Sequence, residues 1–121
     1  MTRLLCGLLA AGLASLALAG SAAAHSLLLE SSPAAGAALS APPAQLVLRF
    51  NNRIEKSLST VRLVDGHGAV RPLVIDVGAG PAERVTAPVP PLAPGPWRVE
   101  WQVLSTDGHV VSGRFEFRVS P

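Results

Sequence analysis

The fold is decided by a late segment that reads Trp97-Arg98-Val99-Glu100-Trp101-Gln102-Val103. Large apolar side chains take every second position, and charged or polar side chains take the positions between them. Because successive side chains of a strand point to opposite faces of a sheet, this alternation predicts a strand with one buried face. Residues 114–119 alternate in the same way, with Phe115, Phe117 and Val119 on the apolar face. The two segments are therefore expected to direct their aromatic side chains into one core.

Shorter alternating segments precede these two strands. They lie at residues 46–50, 59–64, 69–75 and 85–89. The second and third flank Asp65-Gly66-His67-Gly68, a glycine-rich connection that is typical of a hairpin. Pro72 cannot donate a ladder hydrogen bond, so its strand should be bulged or lie at the edge of a sheet. Short strands punctuated by Gly, Pro, Asn and Asp indicate an all-β sandwich or barrel, and no helix longer than one turn is expected after residue 24.

The first 24 residues resemble an export signal more than a part of this domain. Arg3 is followed by an apolar run over residues 4–19 and by Ala22-Ala23-Ala24, a small-residue site at which a signal peptidase would cut. We therefore predict a cleavable signal peptide at 1–24, a single domain at 25–121 and a periplasmic location. The 121-residue chain less those 24 leaves 97 residues, enough for one core. The alternative is an uncleaved anchor, because residues 4–24 are just long enough to span a bilayer.

Composition excludes several classes of function. Cys6 and Met1 are the only sulfur-containing residues, and both would leave with the signal, so the mature chain has neither a disulfide nor a sulfur ligand. Loss of Arg3 leaves nine basic residues against eight acidic ones, scattered along the chain without a run. This distribution predicts no nucleic-acid binding. The absence of a nucleophile elbow or phosphate loop gives hydrolytic catalysis no basis.

Three residues form a candidate metal site. Cleavage after Ala24 would make His25 the first residue, whose free amine and imidazole can chelate one ion together. Asp107 and His109 are two positions apart, so an extended backbone would project both side chains from the same face. Nitrogen and oxygen donors of this kind suit Cu(II) better than zinc, calcium or iron. His67, in the other turn, is interpreted as a surface residue and is left out of the site.

At this point the chain resembles the CopC-type periplasmic copper-binding proteins over nearly all of its mature length. The resemblance rests on His25, Glu30-Ser31-Ser32-Pro33-Ala34 with Gly36, Leu48-Arg49-Phe50-Asn51, the stretch from Trp97 to His109, Gly113 and the last Phe-rich strand. It implies an Ig-like Greek-key β-sandwich of about seven strands. It also implies one Cu(II) per chain, held by the amine and imidazole of His25 with Asp107 and His109.

The resemblance further implies a role in copper homeostasis or resistance. The protein would be a monomeric, non-enzymatic carrier or buffer of periplasmic copper, working beside a CopD-type inner-membrane protein. Two departures limit this transfer. Some members hold Cu(I) in a methionine-rich loop, but residues 64–75 here contain no methionine, so no Cu(I) site is expected. Some members also have an acidic residue near the copper where this chain has Asn51 and Asn52, so a water or a stronger reliance on Asp107 is assumed.

Two alternatives to a copper carrier stay open from the sequence. Copper oxidases of the N-terminal-histidine type also combine a terminal histidine with a second histidine on a β-sandwich. The chain has no tyrosine, however, and an anionic ligand such as Asp107 favours Cu(II) and resists the reduction that oxygen activation needs. The other alternative is a structural interaction domain in which His25 binds no metal.

Overall fold

A computed structural model describes residues 26–121, and the predicted signal peptide and His25 lie outside the described residues. Two sheets pack face to face as an Ig-like Greek-key β-sandwich, which confirms the predicted fold class. The strands are β1 (Leu28–Ser32), β2 (Ala38–Leu39), β3 (Gln45–Phe50), β4 (Thr60–Asp65), β5 (Val70–Leu73), β6 (Arg84–Pro88), β7 (Gly95–Leu104) and β8 (Val110–Val119). The described part of the chain thus has eight strands, where about seven were expected, because it includes the two-residue β2.

The strand order follows the hydrophobic pattern of the sequence. One sheet has the order β1-β3-β6 and the other the order β2-β8-β7-β4-β5. The predicted hairpin is present, since β4 and β5 are antiparallel neighbours with Val64 opposite Val70. Pro72 lies in β5 at the edge of the larger sheet, where its missing N–H breaks no inner ladder.

The longest hairpin, β7 with β8, supplies the aromatic part of the core. Trp97, Phe115 and Phe117 are buried, as the alternation predicts. Trp101 is half-buried, and its ring covers Gly113 of the paired strand so closely that any Cβ there would collide with it. Trp101 also packs against Phe115, with ring centroids 6.0 Å apart. A side chain at position 113 would force this aromatic layer apart.

Strand register places the connections of the chain at two opposite ends. Thr60 pairs with Gln102 and Asp65 with Trp97, so the β4–β5 turn and the β7–β8 turn lie at opposite ends of the larger sheet. We call the end that carries the β7–β8 turn the His109 end. It comprises residues 26–27, 51–59, 74–83 and 105–109. Backbone hydrogen bonds join these segments, and Lys56 Nζ donates a further hydrogen bond to the carbonyl oxygen of Ala79. A short 3-10 helix, Lys56–Leu58, lies within it.

Among residues 26–121 there is no helix long and apolar enough to cross a membrane.

Candidate metal centre

The β7–β8 turn is a closed loop of five residues, 105–109, beyond the last ladder pair of Leu104 with Val110. The amide of Ser105 donates to the carbonyl oxygen of His109 at 2.9 Å, and the amide of Gly108 donates to that of Ser105 at 2.9 Å. Gly108 has a φ of 93°, a conformation that side chains disfavour. The backbone therefore reverses direction between Asp107 and His109.

Asp107 and His109 meet across this reversal. Their Oδ1 and Nδ1 atoms are 3.1 Å apart, and the same Oδ1 accepts the His109 amide at 3.2 Å. The prediction that the two side chains share one side is confirmed, but the extended backbone from which it was derived is wrong. A turn centred on the glycine brings them together instead. The side chains of His109 and Asp107 are 50% and 46% exposed, so an ion from solvent could reach both.

The arrangement of the Asp107 and His109 side-chain atoms suits a metal site. A proton on Nδ1 would complete the contact with the carboxylate and leave the ring's lone pair on Nε2. The Ser105 hydroxyl, the His109 amide and Nδ1 of His109 all contact Oδ1 of Asp107. Asp107 can therefore orient the imidazole with one oxygen and offer the other to a cation.

Ser105 fixes the Asp107 carboxylate by a hydrogen bond. It is 1% exposed, its hydroxyl donates to Asp107 Oδ1, and the carbonyl oxygen of His109 lies 3.3 Å from that hydroxyl. The hydroxyl, then the side chain and amide of His109, lower the pKa of Asp107 to about 2. The carboxylate is thus an anion at neutral pH.

The role of Ser105 was not predicted from the sequence. A usable signal was present, because a serine two residues before an aspartate in a turn is well placed for a local side-chain bond.

The start of the described chain is fastened to the same end of the sandwich. The Leu27 amide donates to Asn51 Oδ1 at 2.7 Å, and the Asn51 amide donates to the Leu27 carbonyl oxygen at 3.1 Å. Two residues further on, the Arg53 carbonyl oxygen accepts the amide of Thr106 at 3.0 Å. Asn51 was expected to be a poor ligand in a position that is acidic in some relatives; here its amide oxygen binds backbone.

The described residues supply only part of the predicted site. They bring Asp107 and His109 together, and they contain no group of three or more His, Cys, Asp or Glu side chains that could hold a metal ion. His67 lies in the β4–β5 turn at the opposite end of the sheet. His25, the third predicted ligand, lies outside the described residues and two positions before Leu27.

Fold and turn together define a β-sandwich domain with an exposed carboxylate–imidazole pair beside the start of its first strand. A CopC domain matches residues 28–120, and the chain therefore belongs to the CopC family of copper-binding proteins. This result confirms the resemblance seen in the sequence.

Individual relatives agree. The chain is 35% identical over 120 residues to copper resistance protein C of Xanthomonas campestris pv. juglandis, a match that covers 93% of this chain and 90% of the relative. The crystal structure of CopC from Methylosinus trichosporium OB3b superposes with a TM-score of 0.73 at 35% identity, covering 80% of this chain and 95% of that one. Copper transport protein CutJ of Bacillus subtilis is 28% identical over 98 residues, which are 79% of this chain and 18% of CutJ.

Proposed function

We propose that the mature protein is a periplasmic carrier or buffer that binds one Cu(II) per chain. The ligands are the amine and imidazole of His25, Nε2 of His109 and a carboxylate oxygen of Asp107. The observation that carries this proposal is the 3.1 Å contact between Asp107 and His109 on an exposed turn of a CopC domain.

The chain start is within reach of that turn. The backbone nitrogen of His25 is two residues from that of Leu27, at most about 7 Å of extended chain. Leu27 is hydrogen-bonded to Asn51, and Arg53 to the turn, so this short span begins at the same end of the sandwich as the remaining proposed ligands. Cleavage of residues 1–24 would convert the His25 nitrogen from an amide into an amine with a pKa of about 7.7–8.0, which a bound cation readily deprotonates.

The oxidation state follows from the donor atoms. Amine, imidazole and carboxylate suit Cu(II), whereas Cu(I) prefers thiolate or thioether sulfur, which the mature chain lacks. We expect reduction with ascorbate to release the ion to a Cu(I) chelator. Retention of Cu(I) in the presence of that chelator would contradict the proposed ligand set.

A recipient of the copper is expected to dock at the His109 end. Of the seven exposed large apolar residues within 26–121, four lie there, namely Leu27 (53% exposed), Leu58 (69%), Val74 (80%) and Val77 (60%). An apolar rim around an ion site suits a protein partner better than water. CutJ, whose name describes a copper transport protein, carries its CopC-like segment within a much longer chain. We therefore propose a CopD-type membrane protein as partner.

The proposed docking surface can be tested apart from copper binding. Leu58→Ser should slow transfer of copper to a CopD-type protein in proteoliposomes without changing Cu(II) affinity. Val70→Ser changes a residue that is 50% exposed at the opposite end and serves as the control. Equal transfer rates for both variants would contradict docking at the His109 end.

The test of the copper site is electron paramagnetic resonance of the protein beginning at His25 with one equivalent of Cu(II). A type 2 spectrum with nitrogen couplings, saturating at one copper per chain, is the expected result. A spectrum of unbound aqueous Cu(II) would overturn the proposal in favour of a domain without metal. Turnover of ascorbate and peroxide by the loaded protein would favour the oxidase alternative instead.

A further inference from the structure

Asn51 makes two hydrogen bonds to one residue, Leu27. Its side-chain oxygen accepts the Leu27 amide at 2.7 Å, and its own amide donates to the Leu27 carbonyl oxygen at 3.1 Å. We propose that Asn51 is a positioning residue that holds the amine-bearing end of the mature chain against the Asp107–His109 turn. This inference rests on the proposed function, in which that amine is a copper ligand.

The first strand needs this attachment because its ladder is irregular. Leu28 pairs with Phe50 but Glu30 pairs with Arg49, so the register shifts between Leu28 and Glu30. A bulge of this kind leaves a residue without its regular partner and bends the strand. The side chain of Asn51 supplies, just beyond the bulge, a bond that the ladder would otherwise have to make.

The same short segment also holds the turn. The carbonyl oxygen of Arg53 accepts the Thr106 amide at 3.0 Å, and the amide of Glu55 donates to the carbonyl oxygen of Leu104 at 2.8 Å. Ile54 and Ser105 form an isolated bridge. Within residues 51–55, Asn51 therefore binds Leu27, and the residues that follow bind the base of the Asp107–His109 turn.

This arrangement gives the asparagine a role without making it a ligand. Its oxygen accepts a hydrogen bond from the Leu27 amide in this structure. Pre-organising one half of a site beside the other reduces the ordering that binding requires, and so raises affinity. Asn51→Ala should leave every donor in place and still weaken Cu(II) binding, by about three- to tenfold for one lost hydrogen bond.

The experiment is a double-variant cycle. Cu(II) affinity is measured by chelator competition for the protein beginning at His25, with and without Asn51→Ala, and for the same two proteins acetylated at the His25 nitrogen. Asn51→Ala is expected to lower Cu(II) affinity by about three- to tenfold only in the protein whose His25 amine is free. Asn52→Ala is the matched control, since the side chain of the neighbouring asparagine makes no hydrogen bond within residues 26–121, and this variant should bind copper like the parent.

The affinities distinguish failure of the Asn51 role from failure of the proposed function. An equal loss in free and acetylated proteins, or no loss in either, would overturn the role of Asn51. If acetylation of the unsubstituted protein has no effect, the proposed function fails first, because the amine is then not a ligand.

A readout on the copper-free protein guards against general unfolding. Amide exchange at Leu27 should accelerate in Asn51→Ala and return toward the parent rate in Asn51→Asp, which keeps an oxygen acceptor. Exchange in β7 should be unchanged in both variants. Unchanged exchange at Leu27 in Asn51→Ala would show that the side chain anchors nothing.

Discussion

The tripeptide Asp-Gly-His occurs twice in this chain, at 65–67 and at 107–109. The two copies lie in hairpin turns at opposite ends of the larger sheet. In the first copy, Asp65 Oδ1 accepts the amides of His67 at 2.8 Å and Ala69 at 2.9 Å. In the second, Asp107 Oδ1 accepts the His109 amide and also lies 3.1 Å from its Nδ1 atom.

The position of the left-handed glycine separates the two turns. In the first turn it is Gly68, with φ 86°, which follows the histidine. In the second it is Gly108, with φ 93°, which stands between the aspartate and the histidine and folds the imidazole back toward the carboxylate. The same three residue types thus make a turn bonded through backbone amides in one place and a carboxylate–imidazole pair, the proposed ligand pair, in the other.

The surroundings reinforce the difference. The buried Ser105 donates its hydroxyl to Asp107, and residues 51–55 connect the second turn to Leu27, just before the first strand. In the first turn, the backbone amides of His67 and Ala69 bond the Asp65 carboxylate. A short motif is therefore weak evidence of a metal site until its backbone and its neighbours are known.

The largest expected effect distinguishes the two histidines. His109→Ala should weaken Cu(II) binding by at least about 100-fold, because loss of a ligand exceeds the 10- to 100-fold cost of losing an outer-shell partner. His67→Ala, in the same tripeptide, should bind copper like the parent. Chelator competition measures both, and equal losses would show that the two turns do not differ in function.

A smaller effect distinguishes the two glycines. Alanine at either position meets no atom within 4 Å, so the cost is backbone strain alone. Gly68→Ala and Gly108→Ala should each destabilise the protein by about 1–2 kcal/mol. Only Gly108→Ala should also reduce Cu(II) affinity, by roughly tenfold if that strain displaces the ligand pair. Denaturation and copper titration together test this, and a copper defect in Gly68→Ala would contradict it.

The smallest effect concerns protonation in the copper-free protein. The pKa of Asp107 is about 2, with the Ser105 hydroxyl as the first cause, and Ser105→Ala should raise it toward the ordinary value. A depressed carboxyl pKa stabilises the fold above the unfolded value of about 3.9, and this stabilisation disappears as pH falls through the folded value. The stability gap between parent and variant should therefore narrow between pH 4 and pH 2.

Asp65 is the internal control for that titration. Its pKa is lowered by the backbone amides of Ala69 and His67, which Ser105→Ala does not touch. In a carboxyl NMR titration of Ser105→Ala, the pKa of Asp107 should rise and the pKa of Asp65 should stay unchanged. A change in both pKa values would mean that the substitution disturbs the whole sheet.

The strands were predictable because period-two alternation records directly which face of a sheet is buried. β7 and β8 follow from it, whereas the edge position of the strand with Pro72 follows from the missing N–H of proline. β2 was not predictable, since two residues that pair in parallel with Arg118 and Val119 leave no pattern in the sequence. Its existence depends on tertiary contact alone.

The pairing of Asp107 with His109 was predictable from the sequence, but its geometry was not. Spacing brought Asp107 and His109 together on paper through an extended backbone, whereas Gly108 does so through a turn. The bond from Leu27 to Asn51 spans 24 positions and depends on strand register, so no local pattern announces it. Long-range hydrogen bonds of this kind become visible only in the folded chain.

The most direct test of the central claim compares the protein beginning at His25 with the same protein acetylated at its terminal nitrogen. Both contain every side-chain ligand, and they differ only in whether the terminal nitrogen can bind a metal. We predict that acetylation weakens Cu(II) binding by at least about 100-fold and removes one nitrogen from the paramagnetic resonance spectrum. Equal affinities and identical spectra would show that the terminal amine is not a ligand and that the Asp107–His109 turn does not work with the chain start.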